Sequence, residues 1–266
     1  MWQGLHRSRY ARVRPNRFGR VRSSLIIAAA LAVALIAAAC VPAPPPAPPT
    51  PATPPPGSTV YLTFDDGPSA YTSQILSVLQ SKGVPATFFV VGKNAAQHPT
   101  LVQQEHGAGK GIGNHTWDHQ DLTTLSSDQV RTELQSTTDE ITNLTGTAPV
   151  LWRPPYGAVN DNVKQIASSL GLSMRLWDVD SADWTMPGVN AIVSNVVNTV
   201  KPDAIILFHD GSPGDNEDRS QTVAALPTVI DSLRSVGYSF GSLVTTAGAS
   251  SAPAGPTGPS VPIGPE

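Results

Sequence analysis

Between residues 59 and 243, short apolar runs alternate with amphipathic stretches, and that rhythm predicts the order of elements. Residues 59–63 alternate at the period of a strand and run into an acidic pair, Asp65-Asp66. From 71 to 81, Ile75, Leu76, Val78 and Leu79 recur at helical spacing, and Gly83 supplies the stop. Residues 86–91 predict a second strand, 99–106 a helix, and 111–114 a short strand that delivers His115. The stretch 126–144 predicts a long helix capped by Ser127 or Asp128. Strands at 150–153, 174–179, 204–208 and 238–243 come next, with helices at 160–170, 190–200 and 223–236 between them. Six or seven strands alternating with helices predict an α/β fold: a distorted, incomplete (β/α) barrel, with a flat doubly wound sheet as the alternative. In a barrel, chemistry gathers at the C-terminal ends of strands. Asp65, His115, Arg153, Asp183 and His209 each fall at or just past such an end.

The ends of the chain lack this rhythm. Seven arginines between Arg7 and Arg22 precede a wholly apolar run from Leu25 to Ala39. A basic leader before an apolar stretch too short for an easy membrane span predicts an export signal over 1–40. The run closes Ala37-Ala38-Ala39-Cys40, on the chain's one cysteine. That ending resembles a bacterial lipobox, with Ala37 where leucine is usual, and implies a lipidated Cys40 holding the protein at a membrane. Ordinary cleavage after Ala39 and an uncleaved anchor are the alternatives. Residues 41–57 are dominated by proline and predict a stiff spacer. Residues 247–266, made mainly of small residues and proline, predict a disordered tail. Residues 58–246 remain as one domain, expected to be a monomer at the cell surface or in the wall.

Export changes the charge. The whole chain carries a formal net charge of −3, but seven of its 17 basic residues and none of its 20 acids precede residue 41. The chain beyond that point is strongly acidic, which argues against nucleic acid as a partner. With its one cysteine at position 40, the domain has no disulfide to rest on.

Candidate chemistry sits in five segments. Asp65-Asp66 ends a strand in an Asp-Gly-Pro turn that can bring both carboxylates into one pocket. His115 and His119 stand four apart, the spacing of one helical turn, and can grip one ion. With Asp66 they make an N,N,O set for one divalent metal: zinc by default, with cobalt, nickel or manganese also compatible. Asp65 then remains as a base beside activated water, the outfit of a hydrolase. Arg153, on a strand that ends in two prolines, is placed to keep Asp65 ionised, and the Tyr156 backbone N–H to meet an oxyanion. Asp183 would keep His209 cationic as a proton donor, with Trp184 as a sugar platform. Taken singly, each segment also reads as ordinary structure: a solvated turn, surface histidines, a salt bridge, a buried histidine, a core tryptophan.

Together, Thr63-Phe64-Asp65-Asp66-Gly67-Pro68, His115-Thr116-Trp117-Asp118-His119, Arg153-Pro154-Pro155-Tyr156-Gly157, Asp180-Ser181-Ala182-Asp183-Trp184 and Leu207-Phe208-His209 resemble the polysaccharide deacetylase family (carbohydrate esterase family 4, the NodB homology domain). The resemblance spans about 59–243 and implies removal of acetyl groups from N-acetylglucosamine or xylan. It implies Asp65 as base, Asp66, His115 and His119 as metal ligands, and Arg153 tuning Asp65. It further implies Tyr156 as oxyanion donor, Asp183 orienting the acid His209, and Leu207 and Trp184 lining the acetyl pocket. An exported domain on a spacer points to peptidoglycan or a chitin-type glycan, with acetylxylan as the alternative. Two rivals come from other classes. A non-catalytic wall-binding lipoprotein would lack a catalytic group, and a phosphoesterase would want further carboxylates and basic residues.

Overall fold

The computed structural model describes residues 51–214 and 217–244. The expected leader with Cys40, spacer residues 41–50 and the tail lie outside the described residues.

The core strand is β1 (Thr59–Asp65), and its alternation builds two layers. Val60, Leu62 and Phe64 face outward into the main apolar core, where Phe64 stacks between Phe88 (5.0 Å) and Phe208 (5.6 Å). Tyr61, Thr63 and Asp65 face the other way, into the barrel. One edge of β1 pairs with β7 (Ile205–His209) along five residues. The other edge is divided between β8 (Ser239–Gly241) at Thr59–Tyr61 and β2 (Thr87–Val90) at Thr63–Asp65. Beyond β2 come β3 (Gly111–Asn114), β4 (Leu151–Trp152) and β5 (Ser173–Met174), and beyond β7 comes β6 (Val179–Asp180). All pairings are parallel. Helices α1 (Thr72–Ser81), α2 (Gly92–Gln97), α3 (Pro99–Gly107), α4 (Ser127–Thr145), α5 (Asp161–Ser169), α6 (Val189–Val197) and α7 (Ser220–Ser235) alternate with the strands. The result is a curled sheet of parallel strands, the incomplete (β/α) barrel expected from the sequence.

The structure corrects the predicted elements at four places. The single strand expected at 174–179 is two short ones, because this segment changes partner: Arg175 N–H still donates to Trp152 O, while Asp178 N–H already donates to Ile205 O. Four residues thus cross from one free edge of the sheet to the other, and the barrel closes there without a ladder. The strand expected at 150–153 shrinks to two residues before Pro154, since neither proline can donate to a ladder. The long helix is capped by Ser126 rather than Ser127 or Asp128. Ser126 and Gln129 form a reciprocal capping box that satisfies two N–H groups otherwise orphaned at the helix start. Among the described residues eight strands replace the expected six or seven, and α2 lies where no helix was expected.

Candidate active site

Asp65 is the last residue of β1 and points inward by the strand's parity. A continued strand would turn Asp66 outward. Instead its backbone is left-handed, φ 69°, which swings its carboxyl back beside that of Asp65. Neighbours hold this turn closed. The Asn94 amide donates to Asp66 O (2.8 Å), Val91 N–H to Gly67 O (3.0 Å), and Asp210 N–H to Asp65 O (3.1 Å). Gly67 is required here by close approach: a Cβ at that position would lie 2.1 Å from a carboxylate oxygen of Asp210.

The two histidines do not ride on a helix, as their spacing suggested. Residues 115–119 form a loop after β3, folded back on itself by left-handed residues at Thr116 (φ 66°) and His119 (φ 64°). The loop still brings both rings to one point, with each Nε2 lying 3.2 Å from Asp66 Oδ1. His115 Nδ1 lies 2.7 Å from the carbonyl of Arg153, which can only accept, so Nδ1 carries the proton and Nε2 presents a lone pair. His119 Nδ1 lies 3.2 Å from the Tyr156 hydroxyl, whose ring meets the imidazole edge-on.

These residues fit one divalent ion. Asp66, His115 and His119 offer a carboxylate oxygen and two nitrogens, all within 4.8 Å of one another and all buried. Asp66 Oδ1 accepts no hydrogen bond although it is shut away from water. Such an atom is costly to leave unpaired. A cation would relieve the mutual repulsion of converging lone pairs. Burial opposes the Asp66 charge, but His119 and His115, with His209 behind them, outweigh it and hold the carboxyl well below its ordinary range.

Asp65 is held differently. Arg153, fully buried, donates from Nη1 to Asp65 Oδ1 (2.6 Å) and to the Thr63 hydroxyl (2.9 Å). Its Nε and Nη2 donate to the carbonyls of Arg175 (3.0 Å) and Leu176 (3.2 Å), and its face lies 4.1 Å from the Phe89 ring centroid. One guanidinium therefore orients the carboxylate and satisfies the backbone of the segment that closes the barrel. Asp65 Oδ2 stays on the open side, 3.7 Å from His115 Nε2.

Across the pocket, β7 ends at His209, whose backbone pairs with Asp65. Its Nδ1 lies 2.7 Å from Asp183 Oδ1, and Asp183 Oδ2 accepts the His209 N–H (2.9 Å) and the Thr222 hydroxyl (2.7 Å). Burial alone would push the imidazole pKa down. The Asp183 charge and hydrogen bond outweigh it, with Asp66 and Asp65 adding to them, and the result is about 9. Asp183 is itself drawn below its ordinary range: burial raises it, and the His209 charge, with bonds from His209 and Thr222, overcomes that.

The remaining sequence-predicted residues lie on the same face. Tyr156, in the turn after Pro154-Pro155, is left-handed (φ 58°) and 45% exposed. Trp184 follows Asp183 in a short helical turn and is half-buried. Leu207, buried on β7, shares the inward parity of His209. The metal-ligand candidates, Asp65 with Arg153, and His209 with Asp183 thus converge, with Tyr156 beside His119 and Leu207 on the inward face of β7. Sequence reasoning missed the residues behind them: Asn94, Asp210, Thr222 and Glu133, which sit on helices or past a strand end with no motif to mark them.

The sequence profile described as polysaccharide deacetylase matches residues 52–175. The chain is 40% identical over 192 residues to the chitooligosaccharide deacetylase of Rhizobium leguminosarum bv. trifolii, an alignment covering 69% of this chain and 89% of that protein. It is 38% identical over 182 residues to the peptidoglycan-N-acetylglucosamine deacetylase PgdA of Listeria monocytogenes, covering 68% of this chain and 37% of that one. Among solved structures, the family 4 carbohydrate esterase of Streptomyces lividans, in complex with acetate, superposes with a TM-score of 0.66 at 36% identity, covering 74% of this chain and 98% of that one.

Proposed function

The chain belongs to the polysaccharide deacetylase family, and on that footing we propose that it removes the N-acetyl group from N-acetylglucosamine residues of a cell-wall glycan by metal-assisted hydrolysis. It is a carbohydrate N-deacetylase, an amide hydrolase, by its match to the polysaccharide deacetylase family and its likeness to a chitooligosaccharide deacetylase along 89% of that protein. The observation that carries the finer reading is the convergence of an N,N,O ligand set with Asp65 on one side and the Asp183–His209 pair on the other.

A divalent ion held by Asp66, His115 and His119 would polarise the acetyl carbonyl and lower the pKa of attacking water. Asp65, aimed by Arg153, takes the proton through Oδ2 as the water adds to the carbonyl. The Tyr156 backbone N–H donates to the oxyanion that develops. His209, protonated on both nitrogens and anchored through Nδ1 by Asp183, gives its Nε2 proton to the departing amine. Trp184 and Leu207 line the acetyl pocket, and the exposed Tyr156 ring borders the sugar. The basic leader, the apolar run ending at Cys40 and the proline spacer support an exported domain acting on peptidoglycan. The chitooligosaccharide enzymes, matched along most of their length, support chitin-type oligomers as the second candidate.

Acetate release by zinc-loaded protein from chitooligosaccharides, peptidoglycan and acetylxylan tests this reading. Release from the two N-acetylglucosamine substrates, lost in Asp65→Asn, is expected. Release from acetylxylan alone would overturn the amide assignment.

A further inference from the structure

The loop that carries both metal-binding histidines is irregular, and two of its five residues hold a left-handed backbone without being glycine. Such a loop persists only where its surroundings over-determine it. Every N–H from Thr116 to His119 has a partner. Thr116 N–H donates to Asn114 Oδ1 (2.8 Å) and His119 N–H to the Thr116 hydroxyl (3.1 Å), both from within the same short segment. The two middle N–H groups, of Trp117 and Asp118, converge on a single atom from elsewhere in the chain, Oε2 of Glu133 on α4, at 2.9 and 3.1 Å. Glu133 is 8% exposed. The carbonyls of Thr116 and Trp117 are taken in turn by the N–H groups of Gly92 and Lys93 at the start of α2. Gly92 itself packs so closely that a Cβ would lie 2.5 Å from the Trp117 ring.

We propose that Glu133 is a positioning residue for the metal site: its carboxylate, by accepting both central N–H groups of the loop, fixes the separation of His115 and His119 that lets them share one ion with Asp66. The inference rests on the metal reading above. Glu133 touches neither the ion nor the substrate. It acts through the backbone midway between the two ligands, so losing it leaves two half-buried donors without their partner and frees the loop to relax out of its left-handed turns. Ligand-supporting groups of this kind typically account for about 10–100-fold in metal affinity.

The test is zinc affinity of the full chain, measured by chelator competition, in Glu133→Ala, Glu133→Asp and Glu133→Gln. A glutamine keeps an oxygen of the same reach and should bind zinc within a few-fold of the parent. An aspartate keeps the charge but falls short by one methylene, and it should weaken binding about tenfold or more, as should alanine. If alanine prevents folding, the aspartate–glutamine contrast still decides. Ile141→Val, deep in the core on the same helix, serves as a control for general loosening, with a lowered Tm and unchanged affinity. Parent affinity in Glu133→Asp, or equal loss in Glu133→Gln, would overturn the inference, the latter by showing that charge rather than reach matters. His115→Ala separates the two readings: if it too retains parent affinity, the metal site itself is misassigned.

Discussion

Replacing Asp183 by asparagine should move the alkaline limb of the reaction by more than two pH units. The geometry fixes how the amide would sit. Asp183 Oδ2 accepts two donors, the His209 N–H and the Thr222 hydroxyl, so the asparagine oxygen must take that position. Its NH2 then faces His209 Nδ1 at the 2.7 Å now spanned by a charged hydrogen bond. A donor facing Nδ1 needs a lone pair there and opposes protonation. The pair that lifts His209 from 6.5 to about 9 becomes one that holds it below the ordinary value of about 6.5. Since one pKa unit is about 1.4 kcal/mol, the change removes at least about 3 kcal/mol of preference for the imidazolium. His209 acts as an acid, so activity is lost as pH rises through its pKa, and the limb moves toward acid. A bound cation opposes the contributions of Asp65 and Asp66 and lowers both starting values together, leaving the Asp183 effect in place. The assay is kcat against pH from acetate release, with the His209 titration followed by NMR in parent and variant. At alkaline pH a fall of about 10²–10⁴ in kcat is expected. An unmoved limb in Asp183→Asn would refute the assignment of His209 as the acid that Asp183 holds charged.

The groups around the pocket have other consequences. Tyr156→Phe keeps the backbone N–H but removes the hydroxyl 3.2 Å from His119 Nδ1, so zinc affinity should fall about tenfold, read by chelator competition. Arg153→Met strands the buried Asp65 charge and the carbonyls of the closing segment. Unfolding should become easier by about 3–5 kcal/mol in denaturant titrations, with kcat falling as well. Glu105 is fully buried with neither oxygen hydrogen-bonded, beside Asp210. Burial, then mutual repulsion, lifts Glu105 well above the carboxylate range; burial, with repulsion from Asp66 and Asp65, lifts Asp210 to about 7. Because these folded-state values exceed the unfolded ones, the native state holds more protons, and stability should fall as pH rises from about 4 through 7. Glu105→Gln should flatten that slope and raise the Tm at pH 8.

Legibility in the sequence divides by range. The strand that runs into Asp65-Asp66 was legible because residues 59–63 alternate with a period of two. The helix at 126–144 was legible because its stripe is long, though its cap came out one residue off. Partner changes were not legible: nothing in 174–179 announces that this segment leaves β4 for β7, a fact of tertiary closure. The spacing of His115 and His119 suggested a helical turn, and the structure reaches the same convergence through left-handed Thr116 and His119, which need Glu133 and Asn114 to hold them. The site residues were found through five motifs in one order. Their supports, Asn94, Thr222 and Glu133, were invisible because hydrogen bonds made across the fold carry no sequence spacing.

The account rests on one ion shared by Asp66, His115 and His119. Anomalous scattering at the zinc edge from crystals of the zinc-loaded protein tests it most directly. A single peak is expected about 2.0–2.2 Å from Asp66 Oδ1, His115 Nε2 and His119 Nε2 together. A peak elsewhere, or none at full zinc loading, would contradict it.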